Sequence, residues 1–267
     1  MHTTNRLRLV LASASPARRK LLQAAGIEPE VLVSGVDESR VDPSTPEALS
    51  LTLAQLKARA VAGSLSAHSN SDRATNTNTG AGTATKTGTN TGEPRRPAGT
   101  GGEDANGLRT LVLGCDSVLA FGGEILGKPA DAEEATRRWQ AMRGKSGVLH
   151  TGHCLIDLSN GREVARVGAT TVYFAEVSDD EIAAYVATGE PLQVAGAFTI
   201  DGLGGPFVDG VDGDPGAVIG LSLPLFRNLL GEFDLRITDL WADRTSPPGA
   251  GSETAVTRAA KTVADTH

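Results

Sequence analysis

Apolar β-type runs alternate with amphipathic helical segments along most of this chain, and that alternation narrows its fold class before anything else does. "RLVLAS" reads as a short buried-type strand, followed by the helical "PARRKLLQAAG", with Pro16 in its first turn and Gly26 as its stop. "EVLVSGV" is strand-like, and "PEALSLTLAQLKARAVAG" carries helical spacing through Leu49, Leu53, Leu56 and Ala60. "LRTLVLGCDSVLAF" is a long apolar strand region. "DAEEATRRWQAMRG" is a helix with an acidic start at Asp131, Glu133 and Glu134 and a basic end at Arg143, as the helix dipole prefers. Two β-rich runs, "GVLHTGHCLIDL" and "REVARVGATTVYFA", flank the hairpin signal "SNG". "SDDEIAAYVATG" opens with a capping box, Ser178 to Glu181, and closes on Gly189. A Gly-rich stretch then precedes a last helix, "LPLFRNLLGEF". Long mixed strands between helices predict an α/β protein with a partly antiparallel sheet.

Two segments fall outside this pattern. Residues 64–106 are Thr, Asn, Gly and Ala with almost nothing apolar, so they cannot offset the entropy of ordering. They are expected to form a disordered insertion in a domain spanning residues 1–242, which is tolerable because loop-closure cost grows slowly with length. Residues 243–267 are expected to be a disordered tail. The net charge of -7 argues against a surface built to bind nucleic acid, yet leaves room for a local basic pocket. Two cysteines, Cys115 and Cys154, make no disulfide framework and suit a reducing cytosol. The opening "RLRLVLA" is too short for a signal h-region, and no apolar run approaches membrane-spanning length. A cytoplasmic protein without membrane or nucleic-acid partners is the expectation.

The chemistry-bearing residues sit where these elements end. In "ASASPARRK", Ser15 is placed to cap the helix and Pro16 to begin it, leaving the free N–H groups of the first turn to bind an anion. Ser13 adds a hydroxyl and Arg18 a planar fork suited to phosphate oxygens; the alternative is a capped helix with a solvated basic face. Asp116 interrupts an apolar run, where a carboxylate must be paired, hydrogen-bonded or on a metal. Lys128, between Gly127 and Pro129 just before a helix, either reaches a phosphate or is a surface residue. Asp37 and Glu38 end the second strand, and Lys57 lies in the second helix. "HTGHC" has the composition of a soft-metal cluster, but strand alternation turns His150 and His153 to opposite faces. Cys115 reads as a small packing residue. Asp209, Asp212 and Asp214 would repel phosphate unless a metal intervenes.

In their order, "LASASPARRKLL", "LAQLKARAV", "VLGCDSVL", "GEILGKP", "VYFAEVSDDEIAAYVATGEPLQVAGAFTIDGLGG" and "VIGLSLPLF" resemble the Maf family of nucleotide pyrophosphatases. The spacing matches through about residue 240, apart from the insertion between Lys57 and Asp116. The resemblance implies an inosine-triphosphate-pyrophosphatase-like fold, with a long mixed sheet in two lobes around a cleft. It implies hydrolysis of canonical or modified nucleoside triphosphates to monophosphate and pyrophosphate with Mg²⁺ or Mn²⁺, and a homodimer. Carried over residue by residue, the family's "SxSPRR" loop corresponds to Ser13, Ser15, Pro16, Ala17 and Arg18, so the first of its two usual arginines is Ala17 here. Arg18, Lys57, Asp116 and Lys128 are then the catalytic set, and Ser13, Ser15, Arg18, Glu38 and Gln193 the substrate-binding set. Asp116 and Glu38 are the implied metal ligands, with Asp116 alternatively a general base. Where many members read "DKAGAYGIQG", this chain has "QVAGAFTIDG", so Gln193, Val194, Phe198 and Asp201 depart from the pattern that goes with thymidine or uridine triphosphate. The Gly-rich stretch is expected to make turns at the base end of the cleft. Two other readings stand: a nucleotide-binding regulator of cell division, since the family is linked by name to septum formation, and a sugar-nucleotide transferase suggested by "GKPA" alone.

Overall fold

A computed structural model describes residues 6–38, 41, 45–76 and 108–241. Its elements are β1 (Arg6–Leu11), α1 (Pro16–Ala24), β2 (Glu30–Val31), α2 (Pro46–Asn76), β3 (Leu108–Phe121), β4 (Glu124–Leu126) and α3 (Ala132–Met142). Then follow β5 (Ser146–Asp157), β6 (Glu163–Phe174), α4 (Asp179–Ala187), β7 (Val208–Asp212), α5 (Pro215–Ile219) and α6 (Leu223–Gly231). The seven strands form one sheet in the order β2-β1-β3-β5-β6-β7, with β4 paired to β3. β1 runs parallel to β2 and β3, and the remaining pairs are antiparallel. The sheet is therefore mixed, as the sequence pattern predicts.

Alternation along β3 sorts its side chains between two covered faces. Leu111, Leu113 and Cys115 enter a cluster with Leu22 of α1 and Phe226, Leu229 and Leu230 of α6. Val112 points the other way, into a cluster with Ala54, Ala58 and Val61 of α2. A third cluster covers the far half of the sheet, where Leu119, Leu149 and Phe174 pack on Trp139 and Met142 of α3 and Ile182 and Tyr185 of α4.

α2 lies unusually close to the sheet, and two glycines permit it. A Cβ on Gly114 would stand 2.2 Å from the Ala54 carbonyl oxygen, and one on Gly152 would stand 2.2 Å from that of Ser50. Both belong to the face toward α2, and Asp116 pairs directly with Gly152. Asp116, the next α2-facing residue after Gly114, is thereby delivered beneath the helix on the Ser50 side of Ala54.

Two elements differ in length from the sequence reading. The strand expected over "EVLVSGV" is only Glu30–Val31, because its partner β1 stops at Leu11 and offers no ladder beyond it. Helix α2 continues through Asn76, so residues 64–76, expected within the disordered insertion, are helical. Leu65, four residues past Val61, extends the apolar stripe onto the α2 cluster, and the Ser64 and Ser66 hydroxyls bond the Val61 and Ala62 carbonyls. The rest of the expected insertion, residues 77–106, and the tail 243–267 lie outside the described residues. Among the described residues no helix is long and apolar enough to cross a membrane.

Candidate active site

The end of β1 turns through Ser13–Ser15 into α1, and the local chemistry fixes that turn. Ser15 is extended (φ -70°, ψ 115°), its Oγ accepts from the Arg18 N–H, and Pro16 opens the helix. Ser13 Oγ accepts from the Ser15 N–H at 3.2 Å and from Arg18 Nη1 at 3.0 Å. Arg18 is 9% exposed, not solvated. Its Nε donates to the Gly220 carbonyl at 2.8 Å and its Nη2 to Ser117 Oγ at 3.2 Å. A Cβ on Gly220, whose φ is +124°, would sit 3.0 Å from Arg18 Nε, so a glycine lets that carbonyl approach. A guanidinium has five N–H donors. Three are engaged, and the remaining two, with the Ser13 hydroxyl proton, have no acceptor among the described residues. The solvated-face reading holds for Arg19 instead, which pairs with Glu28 at the surface.

On the opposite face, the Lys57 ammonium lies 2.5 Å from Asp116 Oδ1 and 2.7 Å from Glu38 Oε1. Lys57 and Asp116 are nearly enclosed, while Glu38 is half exposed. Burial pushes the Asp116 carboxyl above the ordinary aspartate range, and the Lys57 and Arg18 charges oppose that shift. Asp116 Oδ2 has no donor among the described residues. Two carboxylates thus converge on one cation position, where the ammonium now stands. That donor set fits Mg²⁺ or Mn²⁺, which take one or two protein carboxylates and complete their shells with water and phosphate oxygens. No group of three His, Cys, Asp or Glu side chains able to hold a metal occurs among the described residues.

Lys128 is exposed and makes no hydrogen bond or ion pair among the described residues, but its loop is anchored. The Gly127 carbonyl accepts from Arg138 Nη1 at 2.6 Å and from the Gly196 N–H at 3.0 Å. The Ala197 carbonyl in turn accepts from the Trp139 indole at 2.8 Å. Gln193 ends the short 3-10 turn just before this junction and is exposed. Glu190 orders the following loop: its carboxylate accepts from the Tyr185 and Thr199 hydroxyls and from the Leu203 and Gly204 N–H groups. Burial disfavours its charge, but these bonds outweigh it and hold the carboxyl below its usual value.

The structure thus joins Ser13, Ser15 and Arg18 in one cluster and Glu38, Lys57 and Asp116 in another. Adjacent positions on β3, Ser117 and Asp116, link the two. Lys128 and Gln193 share a third region and touch neither cluster. No local pattern marks Ser117, Thr151, Gly220 or Glu190, although Ser117 follows Asp116 directly in "GCDSV".

His150 and His153 diverge as strand alternation predicts. His153 Nδ1 bonds the Thr151 carbonyl at 3.0 Å and Nε2 accepts from the Ser222 N–H at 2.9 Å, which fixes the neutral Nδ1–H tautomer. Burial lowers its pKa to about 4. His150 instead lies 3.5 Å from Glu47 at the start of α2. Cys115 is fully buried, and burial raises its thiol to about 12, so it packs and does not react.

Residues 8–233, from β1 to just past α6, match the family described as Maf-like protein. The chain belongs to the Maf family. The nucleoside triphosphate pyrophosphatase of Salinispora tropica is 58% identical over 240 residues, which cover 90% of each chain. That of Streptomyces coelicolor is 52% identical over 237 residues, 89% of this chain and 96% of its own. That of Nostoc punctiforme is 45% identical over 232 residues, 87% of this chain and 96% of its own. All three clusters above lie within the Maf-matched span.

Proposed function

We propose that this chain hydrolyses nucleoside triphosphates to nucleoside monophosphates and pyrophosphate, with Asp116 at the chemical centre. The observation that carries the reading is the convergence of Asp116 and Glu38 on one cation position beside the Arg18 loop. Relatives covering about nine-tenths of the chain and named nucleoside triphosphate pyrophosphatase support it.

The residues divide the work as follows. Asp116 Oδ2 accepts a proton from water as the water oxygen attacks the α-phosphorus; burial favours that role by raising the carboxyl's basicity. The bond from the α-phosphorus to its bridging oxygen breaks, and pyrophosphate leaves with the electron pair. The two uncommitted Arg18 N–H groups, the Ser13 hydroxyl and the Ala17 N–H in the first turn of α1 hold phosphate oxygens. Lys128 supplies a further positive charge to the leaving group. Lys57, standing between the two carboxylates, keeps Asp116 ionised against the cost of burial until a metal ion takes that position. A Mg²⁺ or Mn²⁺ ion held by Asp116 and Glu38 supplies charge neutralisation for the phosphate oxygens when bound. Ala17, in place of the family's usual first arginine, leaves Arg18 as the arginine of the loop. Gln193 and the loop ordered by Glu190 face the base, and a cytoplasmic homodimer suits this chemistry.

Release of pyrophosphate from a panel of canonical, methylated and deaminated triphosphates, with metal and with chelator, tests the proposal. The expected result is equimolar monophosphate and pyrophosphate that disappears with chelator. Triphosphate binding without pyrophosphate release across the panel contradicts it and favours a nucleotide-binding regulator.

A further inference from the structure

Arg18 is gripped at three points, and one grip leads through the sheet. Thr151 Oγ1 has a single proton, which it donates to the Ala217 carbonyl at 2.8 Å. In its 2.9 Å contact with Ser117 Oγ, Ser117 must therefore be the donor. With its proton so committed, Ser117 accepts from Arg18 Nη2 at 3.2 Å. Every proton is assigned, and all point one way: Arg18 to Ser117, Ser117 to Thr151, Thr151 to Ala217. Ser117 and Thr151 are directly opposed across β3 and β5, and Thr151 is fully buried, so water does not easily replace its hydroxyl.

The far end of this chain returns to Arg18. Ala217 lies in α5, and Gly220, which caps that helix, offers the carbonyl that accepts from Arg18 Nε. His153 fastens the next stretch by accepting from the Ser222 N–H. Thr151 and His153 of "HTGHC" therefore hold to β5 the turn that supplies one of the arginine's three acceptors. The hydrogen bonds close a ring through Arg18, Ser117, Thr151 and the α5 turn.

We propose that Ser117 and Thr151 are positioning residues for Arg18: their one-way hydrogen-bond chain fixes the guanidinium so that its two uncommitted N–H groups present one constant face to a phosphate. This rests on the reading of Arg18 as a phosphate ligand. Ser117→Ala leaves Arg18 Nη2 without its acceptor while Thr151 keeps its bond to Ala217. Thr151→Val keeps the shape and removes the hydroxyl that orients Ser117.

The test uses Ser117→Ala, Ser117→Thr and Thr151→Val in the full chain, and Ser117→Ala in an Arg18→Ala background. Steady-state pyrophosphate release is one readout, and solvent exchange of the Arg18 Nε–H proton by NMR, without nucleotide, is the other. A hydrogen bond to a charged group predicts a loss of about tenfold in kcat/KM for Ser117→Ala. Ser117→Thr, which keeps the hydroxyl, restores the rate; Thr151→Val falls between; and Ser117→Ala adds no loss once Arg18 is gone. Arg18 Nε–H exchange quickens in Ser117→Ala and Thr151→Val but not in Ser117→Thr. Wild-type kinetics and exchange in Ser117→Ala overturn the proposal, as does an equal loss with and without Arg18. If the unmodified chain releases no pyrophosphate, the functional reading falls. The exchange data then decide the positioning role alone: quickened exchange in Ser117→Ala supports it, and unchanged exchange overturns it.

Discussion

Lys57 reaches Asp116 because Gly114, two residues earlier on the same strand, has no side chain. The ammonium-to-carboxylate distance of 2.5 Å depends on α2 lying where a Cβ at Gly114 would meet the Ala54 carbonyl oxygen at 2.2 Å and Ala58 at 2.9 Å. The packing of helix on sheet and the chemistry of the site are one arrangement.

Gly114→Ala is therefore expected to damage both. Overpacking of this kind costs about 1–3 kcal/mol, and relief requires α2 to shift and to carry Lys57 away from Asp116. Urea unfolding should show the lost stability, and pyrophosphate release should fall further than the folded fraction does. A variant with a normal rate and a normal unfolding midpoint would show that α2 is not seated by this contact.

The two neighbouring arginines should separate cleanly. Arg18→Ala removes a buried guanidinium with three hydrogen bonds and is expected to lower kcat/KM by about a hundredfold or more, the scale for one preorganised donor to a developing negative charge. Arg19→Ala removes only a solvent-screened surface pair with Glu28, and should leave the rate within about twofold. Equal effects of the two substitutions would contradict the assignment.

Much of this arrangement is legible in the sequence, and the rest is hidden for identifiable reasons. "LRTLVLGCDSVLAF" coincides with β3 because a strand covered on both faces reads as an apolar run wherever it sits. The capping box of Ser178 and Glu181 is local and appears as expected. Asp116 stands out because a lone carboxylate in such a run needs a partner. What the sequence conceals is tertiary. β2 is short because β1 ends, and α2 is long because Leu65 finds a seat among buried side chains. Arg18 takes its nearest acceptor from the Gly220 backbone, 202 residues away, which no local pattern announces. Ser117 and Thr151 carry ordinary strand hydroxyls whose meaning lies only in the arginine above them.

His153 makes stability depend on pH. The unfolded chain takes up its proton near the ordinary value of 6.5, whereas the folded chain resists until about 4, because burial and then the nearby Arg18 charge disfavour the imidazolium. The unfolded state thus binds more protons between those values, and stability rises with pH across that window. The histidine's contribution is fully present above pH 6.5 and is lost as pH falls toward 4, a loss of roughly 3 kcal/mol. His153→Gln keeps an acceptor and cannot be protonated, so the decline in unfolding free energy from pH 7 to pH 4.5 should be shallower than in the unaltered chain. Parallel curves would rule out His153 as the source.

The central claim is that Asp116 drives triphosphate hydrolysis, and one substitution tests it most directly. Asp116→Asn keeps the size of the side chain and its place beneath α2 while removing its charge and most of its basicity. Pyrophosphate release from the best triphosphate should fall by about a thousandfold, the loss of a positioned proton acceptor being worth about 10²–10⁴ in rate, while thermal unfolding remains cooperative. Turnover at the unaltered rate in a folded Asp116→Asn protein would contradict the account.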